Sequence, residues 1–224
     1  MSGYQKPEIC EVHKLLEKHD ALIVHFSGTP KGAGSDFDYN FPGDLRKVAE
    51  GSAITGISCS VVTPRDQFAC LEKANATGCI GVIVGLSAPD SLVAASPGDC
   101  GSYMVEGKRV VIEQNLNLSG LNDTIINREA DSYNEWVIRT PVVVGIFAAP
   151  PYRISVNSVP EYPEEMPDYL KDGNPTPNFE YLSEAEIFRA FPDQKIFFAI
   201  DGKLVERTED GETEFNYEIL NQTK

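Results

Sequence analysis

Residues 79–86, CIGVIVGL, form a continuous apolar run of strand length, preceded by Gly78. A strand with one face in water alternates apolar and polar residues, whereas this run does not, so it predicts a central strand buried on both faces. That requirement constrains the fold more than any other feature, because the chain must cover a sheet from both sides.

The flanking segments predict a mixed α+β core over residues 1–150. PEICEVHKLLEKHD sets Ile9, Val12, Leu15 and Leu16 at helical spacing, which predicts an amphipathic helix over 7–19 with His13 and His19 as solvated surface residues on different faces. A strand over 21–26, ALIVHF, runs into SGTPKGAGSDFDYNFPGD, whose glycines, prolines and aspartates predict a loop. GDLRKVAEG predicts a short helix capped by Asp44 and stopped at Gly51, and ITGISCSVV a strand over 56–62. Thr63, Pro64 and Asp66 then supply an N-cap hydroxyl, a first-turn proline and a carboxylate three residues on, which predicts a helix over 64–75. Strand, helix and strand in succession suggest a βαβ unit with a parallel portion of sheet. Further strands are expected at SLVAAS, KRVVIEQ, EWVIR and VVVGIFA, with loops or short helices between them.

The character changes after residue 150. Residues 151–178 are rich in proline and carboxylate and predict an extended linker. Residues 179–224 predict a small appendage of one helix and a β-hairpin. Ser183 and Glu186 have the spacing of a capping box, and KIFFAIDGKLVER places Asp201-Gly202 between two apolar strands, the dipeptide a type I′ turn favours. TEFNYEIL alternates as a third strand.

Charge narrows the partners. There are 34 Asp or Glu against 19 Lys or Arg, a formal net charge of -15, so the long-range field repels nucleic acid and anionic membrane. Nucleic acid could be reached only through a local basic groove, for which Arg46-Lys47 and Lys108-Arg109 are the adjacent basic pairs. Five cysteines with no CxxC spacing read as reduced thiols of a cytoplasmic protein, and Cys59 and Cys79 as small buried hydrophobes. No phosphate loop, nucleophile elbow, HExxH or zinc-ligand spacing occurs; GTPKGAGSD lacks the Lys-Ser/Thr that would contact phosphate and magnesium. SPGDCGSY reads as a tight turn, with Asp99 and Ser102 at its centre.

Chemistry is suggested where polar residues interrupt apolar strands: His25 in ALIVHF, Ser58 and Ser60 in ISCSVV, and Glu135 in SYNEWVI. A buried carboxylate beside Trp136 needs a partner or a raised pKa. Histidine, hydroxyls and glutamate together suit group transfer at a glycosidic carbon. The order HFSGTP, LRKVAEG, ITGISCS, SYNEWVI and VVVGIF resembles the ADP-ribosyltransferase superfamily, in its bacterial toxin-like branch, over about residues 20–148. The resemblance implies an NAD-dependent transfer of ADP-ribose to a macromolecular acceptor. It implies that Glu135 stabilises the oxocarbenium-like transition state, that His25 holds NAD, and that Ser27 and Gly28 lie against the nicotinamide. Ser58 and Ser60 would brace the site, and Tyr103 or Tyr39 would stack on the nicotinamide. Tyr133 stands where arginine- or asparagine-modifying branches carry Glu or Gln. The alternative is a non-enzymatic acidic interaction or inhibitor protein, of phage or mobile-element type, that engages a basic host protein through its carboxylates; a virion component is a third reading.

Overall fold

A computed structural model describes residues 6–26, 57–64, 79–98, 104–105, 108–109, 116–127, 134–156, 178–208 and 211–221. Its helices are α1 (Ile9–Lys18), α2 (Leu118–Ile126) and α3 (Glu184–Ala190). Its strands are β1 (Leu22–Phe26), β2 (Ile57–Val62), β3 (Ile80–Gly85), β4 (Leu92–Ser96), β5 (Met104–Val105), β6 (Lys108–Arg109), β7 (Glu135–Ile138), β8 (Val142–Ala148), β9 (Arg153–Val156), β10 (Asn178–Tyr181), β11 (Ile196–Ile200), β12 (Lys203–Thr208) and β13 (Gly211–Glu214). Nine of these strands form one mixed sheet in the order β13-β12-β11-β8-β3-β1-β2-β7-β4, and β9–β10 and β5–β6 form two separate ribbons. The fold class is α+β.

β3 sits at the centre of this order and every one of its residues is buried, as the unbroken apolar run predicts. The sheet is covered on both sides. On the side of Ile80, Ile146, Ile196 and Phe198, Ile187 of α3 and Phe191 at its C-terminal cap complete an apolar cluster. On the other side Phe26, Phe147 and Phe197 pack, and Phe215 lies edge-on to Phe197 at 4.9 Å. α1 buries Val12, Leu15 and Leu16. Its capping box runs between Glu8 and Glu11. Its last turn closes through Asp20 at φ 49°, with Asp20 N–H donating to the Glu17 carbonyl and Ala21 N–H to that of Leu16, the Schellman arrangement.

Several expectations meet a different outcome. β2 and β3 point the same way, but β1 lies between them, antiparallel to both; among the described strands the hydrogen-bonded parallel pair is β8–β11. The C-terminal hairpin forms as expected, with Asp201 and Gly202 both at positive φ, and Ser183 caps α3 in a capping box with Glu186. Yet it is no free-standing appendage, because β11 extends the central sheet alongside β8. The third C-terminal strand ends at Glu214, and Tyr217–Asn221 turn into a 3-10 helix. His13 is buried against the core rather than solvated, and His19 is half-buried with Nε2 2.8 Å from Asn122 Oδ1. The expected linker contains β9, which pairs with β10 at the boundary with the expected appendage. The loop after residue 26, the helices expected over 44–51 and over 64–75 beyond Pro64, and residues 157–177 lie outside the described residues, as do Arg46, Lys47, Asp99 and Ser102.

Candidate functional site

The expected site draws on β1, β2 and β7, which are consecutive neighbours in the sheet. β2 and β7 pair Ile57 with Ile138, Ser58 with Val137 and Cys59 with Trp136, so one further step sets Ser60 opposite Glu135. On the far side of β7, Ser96 of β4 pairs directly with Glu135; on the far side of β2, Val24 of β1 pairs with Ser60. Paired residues share a face of the sheet. Val24, Ser60, Glu135 and Ser96 therefore form a row across four strands, with Ser58 on the same face two residues along from Ser60. The row is dry: Ser60 is 5% exposed, Glu135 3% and Ser96 0%.

His25 is not in it. It follows Val24 in an unbroken strand, so its side chain leaves the opposite face, where its pairing partner is Val82. Side-chain contacts confirm the alternation at β7. Asn134 Nδ2 donates to the Thr124 carbonyl at 3.0 Å, and Trp136 Nε1 donates to Thr124 Oγ1 at 2.8 Å. Both residues thus reach α2, and Glu135 between them points away from it. The chain brings Ser58, Ser60 and Glu135 to one side and His25 to the other. Ser27, Gly28, Tyr39 and Tyr103 lie outside the described residues.

His25 has a backbone duty instead. The pairing of β1 with β2 runs from Leu22 to Val24 and stops there, while β1 goes on pairing with β3 through Phe26. At that point the His25 ring takes the place of a ladder bond, Nδ1 lying 2.8 Å from the Ser58 carbonyl oxygen. Because a carbonyl only accepts, Nδ1 carries the proton.

Sequence reasoning passed over Asn134. It is fully buried, and its Oδ1 accepts from the Val61 N–H at 2.8 Å while its Nδ2 holds α2. The amide thereby continues the β2–β7 ladder one step beyond the strand and fixes where Glu135 begins. The signal lay in SYNEWVI: an amide just before a strand whose neighbours are apolar needs partners on both ends.

Cys59 lies beside this row, fully buried. Burial pushes its thiol well above the usual range, and the charge of Glu135 pushes it further. Among the described residues no group of three or more His, Cys, Asp or Glu could hold a metal ion, and no described helix is long and apolar enough to cross a membrane. Comparison with protein-family models, with curated proteins and with solved structures gives no match.

Proposed function

We propose that this protein acts by binding a basic macromolecular partner through its acidic surface. What carries the reading is the disposition of charge over residues 184–221, where ten Asp or Glu face four Lys or Arg. Three of those four cations are already spent: Lys195 pairs with Glu206, Lys203 with Glu214, and Arg207 with both Glu184 and Glu212. Exposed Asp193, Asp201 and Glu218 carry the excess. A surface of one sign steers an oppositely charged partner and repels nucleic acid. Lowered retention of a defined basic protein on the immobilised chain as salt rises to about 0.5 M, where screening shortens to a few Å, is the expected result. Retention insensitive to salt would overturn it.

A second reading keeps group transfer with NAD as the ADP-ribose donor. One observation favours it: Glu135 is buried in a row with Ser60 and Ser96. In this reading Glu135 works without His25. Release of nicotinamide from NAD by the wild type, abolished in Glu135→Gln and retained in His25→Asn, would establish it in place of the first.

A further inference from the structure

The end of α1 approaches the C-terminal 3-10 helix beside the Asp201-Gly202 turn. Asp20, Pro64, Lys203, Glu214, Phe215 and Tyr217 line a cavity of about 260 Å³ there, far more than the roughly 10–15 Å³ that one water needs on the same measure.

The walls are of two kinds. One is aromatic: the rings of Phe215 and Tyr217 meet edge to face at 5.1 Å, and Phe215 is braced in turn on Phe197 of the sheet. The other is anionic. Asp20 is held at the rim by the Schellman closure of α1, exposed and with no side-chain partner among the described residues. Lys203, the cation among the described lining residues, is bound to Glu214. Glu17, one turn back on α1, adds charge: together with Asp20 it pushes the Tyr217 phenol up, second to burial. Among the described residues, an anionic ligand finds no unspent cation in this cavity. A planar cation finds both an aromatic surface and a carboxylate.

We propose that this cavity receives the guanidinium of an arginine side chain on the partner, a site that rests on the acidic-binding reading above. Arginine suits it better than lysine, because guanidinium is planar, weakly hydrated and stacks on aromatic rings while offering a fork of donors to a carboxylate.

The test is calorimetric titration of the full chain, at low salt, with a hexa-arginine peptide and in parallel with a hexa-lysine peptide. Asp20→Asn leaves the backbone undisturbed, since asparagine tolerates the left-handed region that Asp20 occupies. It is expected to weaken hexa-arginine binding about tenfold, and Tyr217→Leu roughly threefold. Asp90→Asn, which removes the same charge from an exposed turn between β3 and β4, is expected to change it less than about twofold. If Asp20→Asn and Asp90→Asn weaken binding equally, the cavity is not the seat, although acidic binding survives. If hexa-lysine binds as tightly as hexa-arginine, the guanidinium assignment is wrong. If neither peptide binds, both the site and the reading beneath it fall.

Discussion

The His25 imidazole donates from Nδ1 to the carbonyl of Ser58 across 2.8 Å, at the point where the pairing of β1 with β2 ends. This bond gives the histidine a structural task, and the task predicts how the chain responds to its loss. His25→Ala leaves a half-buried carbonyl without this donor, which costs about 1 kcal/mol. His25→Asn offers an N–H from a shorter side chain and should recover part of that. Denaturant unfolding of the three proteins measures it. Equal midpoints for wild type and His25→Ala would contradict the role.

Gly81 makes a second, sharper prediction. It pairs with Phe26 on one side and Phe147 on the other, and those two rings meet edge to face at 5.6 Å although a strand separates them. They close over the glycine because it has no side chain. A Cβ there would come within 2.6 Å of the His25 carbonyl oxygen and 2.7 Å of Val24 Cγ1. The first contact is backbone in a central strand and cannot rotate away. Gly81→Ala should cost about 1–3 kcal/mol or more, read as a lowered unfolding midpoint.

Thr124 ties α2 to the sheet. Its hydroxyl accepts from the Trp136 indole and donates to the Leu121 carbonyl at 2.7 Å, with all three groups buried. Thr124→Val keeps the shape and strands the indole N–H, a loss of about 1–3 kcal/mol. Trp136 is the one tryptophan of the chain, so its fluorescence reports the change directly: the emission should shift in Thr124→Val before any global unfolding. A spectrum identical to that of the wild type would show that the bond is not made.

These residues also show what the sequence could and could not disclose. The Asp201-Gly202 turn and the Ser183–Glu186 cap were legible because each is local: the dihedrals or hydrogen bonds they need are set by residues within three positions. The β8–β11 pairing was not, since a parallel pair with some fifty residues between its partners carries no turn signal. What separates His25 from Ser58, Ser60 and Glu135 is register alone. That His25 lies in a buried strand, and Glu135 at the start of another, follows from the apolar runs around them. Which face each presents depends on the pairing of Val24 with Ser60; a slip of one residue between β1 and β2 would have put His25 on the side of Glu135. Hydrophobic pattern cannot choose between those registers where both faces of a strand are buried, as they are throughout β1.

Tyr217 supplies a pH dependence whose sign is fixed by its surroundings. Burial first, then the charges of Asp20 and Glu17, raise the pKa of its phenol above the ordinary value near 10. The unfolded chain therefore ionises this tyrosine before the folded chain does, so high pH favours unfolding. The contribution is fully present below about pH 10 and is lost as pH rises beyond it toward the folded value. Tyr217→Phe removes the phenol, and its stability should fall less steeply with pH in that alkaline range than that of the wild type. Unfolding midpoints collected across the range test the difference in slope. Because Asp20 is one source of the shift, Asp20→Asn should move the alkaline limb in the same direction as Tyr217→Phe, by a smaller amount. Parallel limbs in all three proteins would mean that Tyr217 does not feel the carboxylates of α1, and the anionic wall of the cavity would go with it.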